Sequence, residues 1–168
     1  RKIFRLLAEA EGKAHGVPVS EVSFHEVGAV DSIVDVVMAA YCISRVAPVK
    51  IYASPVKLGR GAVKIEHGVH AVPPPAAAIL SHDMIIAAVP AGIERDNVEL
   101  STPTGLAILK AVGVEFLSAW PAGRVLKSGM GAGTMDLGNY PNVFRVVALE
   151  AGTGIGQREA GSGLQGAV

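Results

Sequence analysis

An almost wholly apolar helix that begins beside acidic side chains constrains the fold of this chain most. Apolar residues fill most positions from 33 to 46, and Pro48 marks where such a helix must end. A helix with so little polar surface is typical of a core element, so we expect it to be central. Ionised carboxylates beside it are costly unless they are paired, protonated or bound to a metal.

Four polar residues around the start of this helix are candidates for chemistry. Asp31 and Asp35 lie one helical turn apart and share a face, while His25 and Glu26 precede the helix and could fold back over its N-terminus. Imidazole and carboxylate groups suit a divalent metal or proton transfer. Alternatively, Asp31 is only a helix cap and Asp35 complements the helix dipole. Ser32 could also be the cap, since Ser32-x-x-Asp35 has the spacing of a capping box. The spacing leaves both interpretations open.

A second candidate is His67, in the segment from Ala62. Strand alternation places His67 on the face of Val63 and Ile65, which we expect to be buried. A histidine there is either a hydrogen-bonded core residue or a ligand.

Two further segments could bind an anion. Thr102, Thr104 and Gly105 begin a predicted helix, where free backbone N–H groups and hydroxyls could hold a phosphate, although ordinary capping explains the same residues. Gly131 and Gly133 lie in a glycine-rich segment, which is either a loop between two strands or an anion-binding nest.

Composition excludes several classes of protein. The 168 residues carry 15 basic and 15 acidic side chains and only 5% aromatics, which is atypical of a nucleic-acid-binding protein. Cys42 is the only cysteine and lies among apolar helix residues, so we expect an inert thiol, no disulfide framework and a cytoplasmic setting. The longest apolar run contains Asp35 and Arg45, so no membrane span is expected. The apolar composition is compatible with a homo-oligomer.

The periodicities predict an α/β or α+β fold, with packed helices and a mixed sheet in a single compact domain over residues 1–150. Gly59-Arg60-Gly61 predicts a hairpin turn between the strands that flank it. Residues 151–168 are expected to form a glycine-rich linker or disordered tail. We predict helices over 1–15, 31–46, 76–81 and 102–112, and strands over 50–58, 62–67, 84–89, 114–119, 124–129 and 143–150.

Several motifs, taken in order, resemble those of the LarC-type nickel insertion proteins, the pyridinium-3,5-bisthiocarboxylic acid mononucleotide nickel chelatases. The resemblance covers about residues 1–150, and its first motif is twelve residues long. The motifs are Phe24-His25-Glu26-Val27-Gly28-Ala29-Val30-Asp31-Ser32-Ile33-Val34-Asp35, Ser54-Pro55, His67-Gly68 with Val72-Pro73, Thr102-Pro103-Thr104-Gly105, and Gly131-Ala132-Gly133-Thr134.

The resemblance implies a chelatase, a kind of lyase, that inserts Ni(II) into a pyridinium mononucleotide with two thiocarboxylates. It also implies dependence on CTP with Mn(II) or Mg(II). On this reading the candidate transient metal ligands are His25, Glu26, Asp31 and His67. Asp35 would orient these ligands, and His25, Glu26, Asp31 and Asp35 together would be the catalytic residues. The candidate phosphate-binding residues are Thr102, Thr104, Gly105, Gly131 and Gly133.

The chain departs from the family pattern at five positions. Ser23 replaces a usual histidine, and Ala71 and Pro74 replace residues of a usual proline-rich motif. Met130 and Met135 stand where a tyrosine and a basic residue are usual. An alternative function is therefore a non-catalytic ligand-binding or assembly module that lacks the family's terminal regions. A metal-storage protein is a further alternative.

Overall fold

The computed structural model describes residues 1–22, 30–65 and 68–151. The helices in this part of the chain are α1 (Lys2–His15), α2 (Val30–Val46), α3 (Pro75–Leu80) and α4 (Pro103–Val112), with a 3₁₀ turn at Val19–Glu21. Each of the predicted helices is confirmed to within two residues of its bounds.

Helices α1, α3 and α4 form the main hydrophobic core. Leu7 of α1, Ala77 of α3 and Leu106 of α4 have no exposed surface. The alanines of α3 and Ala107 of α4 keep the helix surfaces small, so neighbouring backbones can pack closely. Leu6, Leu58, Met84, Ile108 and Phe116 are among the partly buried residues that pack against this cluster.

The expectation that α2 is central is wrong for most of its surface. Val36 is its one buried residue among those that the structure describes, at 3% exposure, and it joins the main core. Seven other large apolar residues of α2 are 43 to 78% exposed, including Val30, Val34 and Val37, whereas Ile43 is half-buried. An apolar sequence identifies surface that favours burial, but it does not show whether the same chain covers that surface.

The strands of the described residues pair two by two. The strands are β1 (Tyr52–Ala53), β2 (Gly59–Arg60), β3 (Ala62–Ile65), β4 (Gly68–Ala71), β5 (Val98–Glu99), β6 (Glu115–Phe116), β7 (Gly123–Ala132) and β8 (Val143–Ala151). The β1–β6 pair is parallel, and β2–β5, β3–β4 and β7–β8 are antiparallel. The mixed α/β class is confirmed, although strands of both kinds form separate two-stranded sheets rather than one mixed sheet.

The predicted hairpin turn at Gly59-Arg60-Gly61 is wrong. Gly59 and Arg60 form β2 and pair with β5, whereas β3 pairs with β4, the strand that follows it in sequence. The glycines are needed for close backbone approach: a Cβ at Gly59 would lie 2.0 Å from the Val98 carbonyl oxygen. Their φ angles of 113° and 77° also disfavour any other residue.

The predicted strand at 84–89 is reduced to a single parallel bridge between Ile86 and Val56. The Val56 N–H donates to the Ile85 carbonyl, and the Ala87 N–H donates to the Val56 carbonyl. These two backbone hydrogen bonds hold the chain at Ile86 beside Val56, and the pairing does not continue past Ala87.

Contacts divide the chain into two compact units. The first comprises residues 1–119 and 136–141, and contains the helical core and a second cluster of Ile93, Val98 and Leu137. The second contains residues 120–135 and the chain from Asn142 onward, and its main feature is the β7–β8 hairpin. The predicted tail over 151–168 lies outside the described residues apart from Ala151, the last residue of β8.

Gly59→Ala should lower the free energy of unfolding by about 2–4 kcal/mol, because the added Cβ meets backbone of β5 and the φ angle is strained. Urea-induced unfolding monitored by circular dichroism measures the change. Gly105→Ala is the matched control in the same unit, since its Cβ would meet only the Thr102 hydroxyl, at 3.7 Å. Equal unfolding midpoints for the two variants would contradict the close approach of β2 and β5.

Candidate functional site

Both described acidic candidates lie in the N-terminal part of α2. The helix begins at Val30, so Asp31 and Ser32 lie in its first turn rather than at the cap, and the predicted capping box is wrong. Asp31 Oδ1 accepts a hydrogen bond of 2.7 Å from the Ser32 N–H. Asp31 and Asp35 are both exposed, so both carboxylates can reach an ion from solvent. Their position also complements the positive end of the helix dipole.

The other predicted metal ligands, His25, Glu26 and His67, lie outside the described residues. Within the described ranges, no group of three or more His, Cys, Asp and Glu side chains is placed to hold a metal ion. The structure therefore brings Asp31 and Asp35 to one helix end, and the rest of the ligand set remains a prediction. On the face of β3 that we expect to be buried, Val63 is half-buried, while Ala62 and Lys64 on the other face are half-buried and exposed. Burial of the face that carries His67 therefore stays a prediction.

Cys42 does not have the buried setting that its apolar neighbours in sequence predicted. Its side chain is exposed on α2, because the helix packs inward through Val36 and turns its other faces outward. The thiol is therefore accessible to solvent, and the expected buried setting is wrong, whereas the inertness of the thiol stays a prediction.

The predicted N-cap of α4 is confirmed. Thr102 has extended backbone angles, and its Oγ1 accepts a hydrogen bond of 3.4 Å from the Gly105 N–H. The Thr102 carbonyl accepts from the Leu106 N–H at 3.1 Å. Thr104 is buried, at 9% exposure, and Gly105 is exposed.

This capping limits what the start of α4 can offer an anion. Pro103 has no N–H, and the Gly105 N–H already has a partner in the Thr102 hydroxyl. The remaining amide of the first turn is that of Thr104. An anion at this helix end would interact with that N–H and with the positive end of the helix dipole.

The glycine-rich segment in the second unit is not a loop over most of its length. Gly131 lies within β7, opposite Phe144 of β8. Gly133 follows the strand, and its N–H donates to the Asn142 carbonyl at 3.0 Å. Any Cβ at position 133 would collide with the Asn142 side chain, which explains the glycine in structural terms.

One face of the β7–β8 hairpin forms an open groove of about 480 Å³ that the sequence did not reveal. Its lining residues include Trp120, Met130 and Arg145. Met130 and Arg145 are directly opposite each other in the strand register. Alternation along each strand indicates two faces, but only the register shows which side chains meet.

Comparisons with known proteins identify relatives over most of the chain. A family model described as nickel insertion protein matches residues 1–165. A protein of Geobacillus kaustophilus, named pyridinium-3,5-bisthiocarboxylic acid mononucleotide nickel insertion protein, is 43% identical over 149 residues, or 89% of this chain. A protein of the same name from Staphylococcus epidermidis is 35% identical over 151 residues, or 90% of this chain. No solved structure gives a significant match.

The chain spans only about a third of the length of these relatives. The matched region is 35% of the Geobacillus protein and 36% of the Staphylococcus protein. Among the described residues, none of the helices has the length and apolar character needed to cross a membrane.

Thr102→Ala should lower the free energy of unfolding by about 1 kcal/mol, because the Gly105 N–H loses its side-chain acceptor. Thr102→Ser keeps a hydroxyl at the cap and should retain most of the stability. Thermal unfolding of the two variants and the parent chain makes the comparison. If the serine variant loses as much stability as the alanine variant, the hydrogen bond is not the source of the effect.

Proposed function

Since this chain belongs to the nickel insertion protein family, we propose that it takes part in the insertion of Ni(II) into pyridinium-3,5-bisthiocarboxylic acid mononucleotide. The observation that carries the proposal is the 43% identity, over 89% of this chain, to the Geobacillus protein of that name. These relatives are almost three times as long as the region that the chain matches.

Nickel is the substrate of this reaction, and the chemistry of the donor groups sets its direction. Carboxylate and imidazole groups bind Ni(II) readily but release it to stronger donors, whereas the thiocarboxylates of the product supply sulfur ligands. In our proposal Asp31 holds the ion together with His25, Glu26 and His67, and Asp35 orients the set from one turn along α2. The exposure of Asp31 and Asp35 supports this role, because an ion can then arrive and leave without unfolding of the core.

The nucleotide phosphate is a further part of the proposal. The Thr104 N–H and the positive end of the α4 dipole would interact with it, while the Thr102 hydroxyl and Gly105 hold the first turn in place. For Gly131 and Gly133, contact with phosphate stays a prediction.

On the basis of the family match, we extend three further properties to this chain. The proposed protein depends on CTP with Mn(II) or Mg(II), is a chelatase, and acts in the cytoplasm. Of these, CTP dependence is the requirement that separates nickel insertion from simple metal storage, since a storage protein would bind nickel without regard to the nucleotide.

His25→Ala should weaken nickel binding at least about tenfold, because it removes an imidazole donor from the proposed ligand set. Isothermal titration calorimetry with Ni(II) measures the dissociation constant. The exposed His82, at the end of α3, provides the matched control. His82→Ala should bind nickel as the parent does, and both variants should keep the parent's circular dichroism spectrum.

The same titration, with and without CTP, tests the rival functions. A CTP-dependent change in nickel affinity or heat supports participation in insertion. Nickel binding that ignores CTP would favour storage. Absence of heat in every combination would favour a non-catalytic module, and parent-like affinity of the His25→Ala variant would remove that residue from the site.

A further inference from the structure

An apolar stripe runs along the outward side of α2. Val30, Val34, Val37 and Tyr41 are 78, 50, 54 and 58% exposed. They follow one another at spacings of four, three and four residues, which places them in a line on one helix face. Met38 widens the line and is 52% exposed. This spacing is typical of the seam between two packed helices.

The outward stripe is distinct from the side that holds α2 to its own fold. The inward side carries the buried Val36 and the half-buried Ser32, Ala39 and Ile43. These residues lie on the opposite face from Val34 and recur at spacings of three and four residues. A surface helix normally turns polar residues to solvent on its outer face, so the apolar outer face of α2 is typical of an interaction surface.

Charges of opposite sign flank the stripe at its two ends. Asp31 and Arg45 are 14 residues apart, which is two heptads, so they project from the same flank of the helix. Both side chains are exposed. Among the described residues, no ion pair involves Arg45. Met38 lies midway between them in sequence.

We propose that two copies of this chain associate through α2, antiparallel to one another and related by a two-fold axis near Met38. Such an axis places Asp31 of each copy beside Arg45 of the other copy, and it buries the two stripes against each other. A two-fold contact must be self-complementary, and the order of apolar and charged residues along α2 meets that condition. The charge order is the reason for assigning a second copy to this surface, because an unrelated apolar partner would not require it.

Asp31 has a role in both the proposed dimer and the proposed nickel site, and the two roles are compatible. An ionised carboxylate has two oxygens with about four acceptor positions, so it can accept from a guanidinium and still face an ion. The two proposals are tested separately, because the association measurement contains EDTA and no added metal.

Sedimentation equilibrium of the chain, over about 1–200 µM, measures the association. The parent chain should show a concentration-dependent monomer–dimer equilibrium. Val37→Asp should abolish the dimer, because it places a charge in the centre of the stripe. The matched control is Val49→Asp, which puts the same charge at an exposed valine beyond the end of α2 and should leave the dimer unchanged.

Charge reversal tests the orientation. Arg45→Asp should weaken association about tenfold, because like charges then meet at both ends of the contact. Adding Asp31→Arg in the same chain restores opposite charges and should return the dissociation constant to within about threefold of the parent. Loss of the dimer without recovery in the double variant would overturn the antiparallel arrangement.

A thiol at Met38 gives a second measurement that does not depend on disrupting the fold. In a Cys42→Ala background, Met38→Cys should form a disulfide-linked dimer on mild oxidation, because the two thiols meet near the axis. The parent, with only Cys42, should remain largely uncrosslinked. A monomeric parent at the highest concentration, a dimer that survives Val37→Asp, or equal cross-linking of the two thiols would each overturn the proposal.

Discussion

Close packing of α1 against α3 and α4 is the interaction on which the first unit of the structure depends. Leu7, Ala77 and Leu106 lose all contact with solvent there. Replacing a buried leucine by alanine in such a cluster typically costs about 2–5 kcal/mol, which is a large part of a domain's stability. This packing fixes α4, and the Thr102 cap at its start, relative to the core that Val36 of α2 also joins.

Local sequence signals predicted the helices well because their causes are local. Thr102 at the start of α4 and Gly113 after its end act within one turn, and the structure contains both caps. Strand pairing was harder to predict from the sequence, because the two strands of a pair can be far apart along the chain. Gly59 and Gly61 are residues typical of a tight turn. In the structure, however, β5 and the residues before it approach the backbone at both positions too closely to leave room for a side chain.

The apolar sequence of α2 did not show which part of the helix surface the chain covers. It predicted correctly that the residues form a helix, and it predicted wrongly that the described chain buries most of that helix. Hydrophobicity measures how favourable burial would be, whereas the identity of the covering surface depends on tertiary or quaternary structure. The outward stripe through Val34 and Val37 is therefore better explained by association than by the packing of this unit alone.

The candidate site shows a similar division between local and distant information. Spacing alone placed Asp31 and Asp35 one turn apart, and the structure agrees. Spacing could not distinguish a cap from a first-turn acid, because that depends on where the helix begins. The exposed setting of both carboxylates suits brief binding of an ion, since release to sulfur donors requires ligands that hold nickel less firmly than the product does.

The proposed function depends on Ni(II) binding at the N-terminal end of α2 before transfer. Anomalous diffraction from crystals of the chain soaked in a nickel salt tests it most directly, with data collected on both sides of the nickel absorption edge. An edge-dependent peak is expected within about 2.0–2.2 Å of an Asp31 carboxylate oxygen, a normal coordination distance for such a ligand. A nickel peak elsewhere on the chain, with none beside Asp31, would contradict it.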